Sequence, residues 1–84
     1  MKDGSVQTVK MRITSDQGSD VVLIVEPWGM EFPMDKEESL EVVFSGPSGD
    51  CPEFRVATGR VELFGWTGST VSVYRGGECI YTTE

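Results

Sequence analysis

At 84 residues, 38% of them apolar, the chain can bury one modest core, and it reads as a single domain over residues 1–84. Seven basic against fourteen acidic side chains leave a net charge of −7, a field that disfavours nucleic acid and anionic membrane surfaces as partners. With no histidine, the chain excludes from its own residues every imidazole acid, base or metal ligand and every serine–histidine or cysteine–histidine nucleophile.

Met1-Lys2-Asp3-Gly4-Ser5 lacks the apolar segment of a secretory signal, and no apolar run approaches membrane-spanning length, so a cytoplasmic protein is expected. Val6 to Thr14 then alternates. Val9, Met11 and Ile13 share one face, and Lys10, Arg12 and Thr14 the other, which predicts a strand with one wet side. Val6 is out of step, which predicts a bulge or a late start. Residues 15–20 are turn chemistry, expected to fold the first strand back as a hairpin onto Val21 to Val25. That run, VVLIV, is apolar throughout and mostly β-branched. It predicts a strand covered on both faces.

Pro27 removes a ladder donor and Trp28-Gly29 makes a corner, so pairing is expected to end there. Pro33 keeps the next segment from being a central strand. Asp35, Glu37 and Glu38 with Lys36 read as a solvated loop. Leu40, Val42 and Phe44 alternate and predict a third strand, and Ser45 to Pro52 reads as a loop. Four shorter strands follow: around Phe54 and Val56, over Arg60 to Phe64, around Val71 and Val73, and over Cys79 to Thr82. Thr58-Gly59 and Gly76-Gly77 mark tight turns between them, since glycine adopts positive φ without steric cost. About seven short antiparallel strands with no helix predict an all-β fold, a small sandwich or partly open barrel. Immunoglobulin-like, jelly-roll and cupredoxin-like strand orders all fit this pattern.

Three residue groups are candidates for function. Trp28, Phe32, Trp66, Tyr74 and Tyr81 could share a surface, and Trp28 and Trp66 stand beside glycines at strand ends, flanked at the first corner by Glu26 and Glu31. An aromatic anchor in an acidic surround suits a protein partner or a second copy of the chain. The same rings could stack on a sugar. The competing reading is that both tryptophans plug the core. Asp35, Glu37, Glu38 and Glu41 cluster in sequence, but without the alternation and fixed glycine of a calcium loop. Cys51 and Cys79 do not have the close pairing of a zinc site and are expected as free thiols.

Glu26-Pro27-Trp28-Gly29, then Glu31-Phe32-Pro33-Met34, and Phe64-Gly65-Trp66-Thr67-Gly68-Ser69-Thr70-Val71-Ser72-Val73-Tyr74 cover roughly a quarter of the chain. In these segments the chain resembles a group of small bacterial all-β proteins that share an EPWG corner and a GW-x-GSTVSVY segment. The resemblance implies a bacterial cytoplasmic protein and a compact sandwich with cupredoxin-like strand order, and it implies no activity. A blue-copper centre is excluded because it needs two histidines with a cysteine.

The sequence therefore predicts a non-enzymatic protein-interaction module, without metal or cofactor, that uses Trp28, Phe32, Trp66, Glu26, Glu31 and Tyr74. The alternative is a small-ligand or carbohydrate-binding module using the same aromatics.

Overall fold

The computed structural model describes residues 5–16, 20–35 and 37–83. Eight strands form two sheets: β1 (Val6–Thr14), β2 (Val21–Glu26), β3 (Met30–Met34), β4 (Ser39–Pro47), β5 (Glu53–Ala57), β6 (Arg60–Phe64), β7 (Thr70–Arg75) and β8 (Glu78–Thr82). The first sheet has the order β1-β4-β7-β8 and the second β3-β2-β6-β5. This is an all-β sandwich with open sheets. It does not have the immunoglobulin order, in which the first strand pairs with the second. No helix among the described residues is long and apolar enough to cross a membrane.

The core follows from alternation. In β4, Leu40, Val42 and Phe44 are fully buried, and in β7 so are Val71 and Val73. The second sheet answers with Leu23 and Val25 of β2, Met34 of β3 and Leu63 of β6. Each such side chain stabilises the fold by roughly 1.5–3 kcal/mol relative to exposure. The residues between them along each strand face water or the sheet surface, which gives every inner strand the inward and outward period of two.

Several expectations are corrected. β1 does not form a hairpin with β2. It pairs antiparallel with β4, from Val6 opposite Pro47 to Thr14 opposite Ser39. The link after β1, whose residues 17–19 lie outside the described set, carries the chain to the other sheet. Its start is held by buried Ser15, whose N–H donates to Glu38 O at 2.9 Å and whose hydroxyl donates to Asp35 O. Val6 belongs to a regular ladder without a bulge, on the wet face. β2 is a central strand between β3 and β6, yet only Leu23 and Val25 are buried, and Val22 and Ile24 on the outer face are half-exposed. Not all strands are antiparallel either, since β2 and β6 run parallel.

Met30–Met34 is a strand that the sequence reading left out. It is an edge strand, where Pro33 is tolerated because no partner needs its missing N–H on the outer side. β4 runs on through Pro47, three residues into the loop expected from Ser45, because Gly46 lets it pass close to Ser69. A Cβ on Gly46 would lie 2.7 Å from Ser69 Cα. The two glycine turns form as expected: Gly59 has φ +77 between β5 and β6, and Gly76 and Gly77 have φ +59 and +84 between β7 and β8. The charged segment after β3 is a loop in its described part, with Asp35 N–H donating to Glu38 Oε1 at 2.9 Å. Lys36 and the leader positions 1–4 lie outside the described residues.

Candidate interaction surface

The aromatic corner is a wall of the core. After β2 the chain turns through a cis Glu26–Pro27 bond, with Gly29 N–H donating to Val25 O at 2.9 Å. Gly65 N–H donates to Glu26 O, also at 2.9 Å, which brings the Trp66 loop against this corner. Trp28 lies over Gly65, where an added Cβ would come within 2.9 Å of Trp28 Cη2. Trp66 is 8% exposed. Its Nε1–H donates to Pro47 O at 2.8 Å, and its ring packs against Phe44 with centroids 6.2 Å apart. Ser69 fixes the loop: its Oγ accepts from Trp66 N–H at 3.0 Å and donates to Trp66 O at 2.6 Å.

The six residues expected to form one binding surface are therefore dispersed. Glu26, Trp28 and Trp66 meet at one end of the sandwich, but Trp66 is buried and Trp28 and Glu26 are half-buried. Phe32 points inward from β3, 8% exposed, with its ring 6.0 Å from that of Tyr81. Glu31 is on the outer face of the same strand. Tyr74 is on the outer face of the first sheet, in a shallow depression of about 280 Å³ with Arg12, Ser39, Glu41, Gly76 and Gly77. Phe32 and Trp66 thus present no exposed ring, because each completes the core at a position where a smaller side chain would leave a void.

The apolar surface lies elsewhere. Phe54 and Val56 of β5 are each 66% exposed, and no residue of β5 is buried. They face the core side, since Phe54 stands opposite buried Leu63 and Val56 opposite Val61. Across from them, Met11 and Ile13 of β1 also face inward, opposite Val42 and Leu40. β1 and β5 are each one edge strand of their sheet, and no described strand pairs with their outer sides. Between them lies a groove of about 330 Å³, lined by Met11, Arg12, Ile13, Thr14, Phe54, Val56 and Val61. Of the four large hydrophobic residues exposed among those described, Val6, Phe54 and Val56 are on these two strands, and Ile80 is on β8.

Charges border the groove. On the wet face of β1, Arg12 Nη2 donates to Glu41 Oε2 at 2.9 Å. That hydrogen bond, with the nearby charge of Lys10, holds the Glu41 carboxyl below the usual carboxylate range. On the second sheet Glu62 takes two guanidinium groups, Arg60 at 3.2 Å and Arg55 at 3.5 Å, the latter an ion pair without a hydrogen bond. Arg55 also lies 5.4 Å from the centroid of the Phe64 ring, a cation–π distance. Cys51 and Cys79 are exposed free thiols, and Cys79 Sγ–H donates to Tyr81 O at 3.5 Å. No cluster of three or more cysteine, aspartate or glutamate side chains suited to a metal ion occurs among the described residues.

Sequence reasoning missed the groove for a physical reason. Phe54-Arg55-Val56 has the alternation of any half-buried strand, and alternation does not say whether the opposite sheet covers the apolar face. Its closeness to the Gly/Pro-rich segment 45–52 was the one available hint of an edge position. Comparison with protein-family models, with curated proteins and with solved structures finds no match to this chain.

Proposed function

We propose that the chain is a non-enzymatic protein-interaction module, and that its contact surface is the β1/β5 groove rather than the Trp28/Trp66 corner. The observation that carries this reading is the exposure of Phe54 and Val56 on the core-facing side of an edge strand whose outer side has no described strand partner. Contiguous exposed apolar surface bordered by charge is the usual character of a docking site. The groove runs between two strands whose outer backbone groups have no described strand partner, so it offers hydrogen bonds as well as apolar contact. Selection from a displayed library of random eight-residue peptides tests it, with the purified Phe54→Ser variant as counter-target. Phe54 is mostly exposed, so the variant keeps the fold. Peptides enriched on the native chain and lost on the variant are the expected result. No enrichment, or equal enrichment on both, overturns the reading.

A second reading has its own observation. The depression around Tyr74, Arg12, Glu41 and the Gly76-Gly77 turn combines a ring, an ion pair and open backbone, the ingredients of a small polar-ligand or carbohydrate site. At about 280 Å³ it is just under the usual size of such sites. Titration with soluble glycans, read by tyrosine and tryptophan fluorescence against a Tyr74→Ala control, decides it. Flat traces across the panel remove this alternative.

A further inference from the structure

Resting on the β1/β5 groove as the contact surface, we infer that its occupant is an extended segment of a partner protein that alternates apolar and acidic residues and adds to the first sheet as a strand beside β1. Three observations converge on this chemistry. The first is the open edge. β1 pairs only with β4, and its length from Val9 to Thr14 spans roughly 20 Å of strand with one side unpaired by any described strand. At the start of β1, Ser48 N–H donates to Ser5 O at 3.1 Å on the side that pairs with β4, and Gln7 Nε2–H donates to Asp50 O at 2.5 Å, whereas the residues of β1 that line the groove run from Met11 to Thr14. A strand laid beside Val9 to Thr14 would form main-chain hydrogen bonds to β1, the established physics of recognition at a sheet edge.

The second observation is where alternate side chains would go. Side chains turned inward from such a strand would lie beside Met11 and Ile13 and over Phe54 and Val56. They would cover the apolar surface that the second sheet leaves open, so they must be apolar. The third observation is charge. β1 carries Lys10 and Arg12 on its outer face and no acid, the only strand with two cations, in a chain of net charge −7. Among the described residues Glu41 forms an ion pair with Arg12 and feels the charge of Lys10. Side chains turned outward from an added strand would stand next to Lys10 and Arg12, so acidic residues are favoured and basic ones opposed.

The same charges argue against a second copy as occupant. Antiparallel pairing of β1 with its own counterpart would gather Lys10 and Arg12 from both chains on one face, and like charges opposed across a ladder are destabilising. Cations on an exposed edge also discourage unselective pairing, which leaves the edge open to a strand of opposite sign.

Fluorescence anisotropy with labelled, end-capped synthetic peptides tests the inference on the full chain. The probes are an eight-residue peptide alternating valine and glutamate, its valine–lysine counterpart, and two N-methylated forms of the first, methylated on one or the other set of alternate amides. The glutamate peptide should bind at least tenfold more tightly than the lysine peptide, and the preference should shrink as salt is raised. One N-methylated form should bind and the other fail, because only one set of amides faces β1. The Lys10→Glu/Arg12→Glu variant, checked for fold by circular dichroism, should reverse the preference. If that variant unfolds, Arg12→Ala should still reduce the glutamate preference severalfold. Equal binding of the glutamate and lysine peptides, or of both N-methylated forms, overturns the strand-addition inference while the interaction reading stands. A mass that doubles with concentration, with no peptide bound, overturns it in favour of a second copy. No peptide binding by a monomer, together with an empty library selection, overturns the interaction reading itself.

Discussion

On the β3/β8 side of the sandwich, Phe32 and Tyr81 reach across from opposite sheets, with ring centroids 6.0 Å apart. There Arg75, at the end of β7, ties the sheets together: its Nη2–H donates to Pro33 O at 3.1 Å and its guanidinium lies 2.6 Å from Glu38 Oε2. On the β1/β5 side, Met11 and Ile13 face Phe54 and Val56 over an open groove. Both sides are built from edge strands with alternating apolar residues, and only one is closed. The difference lies in what stands opposite. A large ring on β3 meets a large ring on β8, whereas Phe54 is 66% exposed and has no ring partner among the described aromatic pairs. An edge closed by its own side chains serves stability, and one left open is available for contact.

The largest expected effect sets those sides against each other. Phe32→Ala should cost about 3 kcal/mol, since it empties a buried ring site, whereas Phe54→Ala should stay within about 0.5 kcal/mol. Urea denaturation of the two variants measures both. Equal losses would mean that the β5 side is covered after all, and the comparison would collapse.

Next comes the end wall that joins both sides. Trp66→Phe should cost roughly 1–2 kcal/mol, through lost packing on Phe44 and the lost bond to Pro47 O. In single Trp→Phe variants, the remaining Trp66 should emit to the blue and resist acrylamide, and Trp28 should be the more accessible of the two. A red, easily quenched Trp66 would return the corner to the candidate surfaces.

Arg75→Ala sharpens the account of the closed side. It should lower stability by up to about 1 kcal/mol, because the ion pair is partly exposed and only its bond to Pro33 O spans the sheets. No change in urea midpoint would leave the aromatic pair as the whole of the clasp.

The smallest effect belongs to the open side. Arg12→Ala should let the Glu41 carboxyl rise towards its ordinary range, which a carboxyl-detected NMR titration would follow. Because the folded-state pKa is depressed, any stability from this pair is present above the ordinary carboxylate pKa and fades as pH falls through the lowered one. An unchanged Glu41 titration would show that Arg12 does not set the charge at the groove's rim.

Much of the fold was legible in the residues. Period-two alternation in Val9-Met11-Ile13, Leu40-Val42-Phe44 and Val71-Val73 states which side chains face a core, because in a strand neighbouring side chains must point to opposite faces. Gly59 and Gly76-Gly77 state where the chain reverses, because their positive φ suits glycine above all. The break at Pro27 was equally plain. The absence of histidine removed whole classes of chemistry without any coordinates.

What tertiary structure alone decided was pairing and coverage. Nothing local tells β1 to take β4 rather than β2, since each has an apolar face and the six-residue link can reach either sheet. Nothing local separates Phe32 from Phe54, two rings in short alternating strands. One is 8% exposed and the other 66%, because burial depends on the opposite sheet, and the opposite sheet comes from residues distant in sequence. For the same reason Trp66, conspicuous beside its glycine, became part of the core with Trp28 half-buried against it, and the candidate surface formed around a phenylalanine and a valine that the sequence did not set apart.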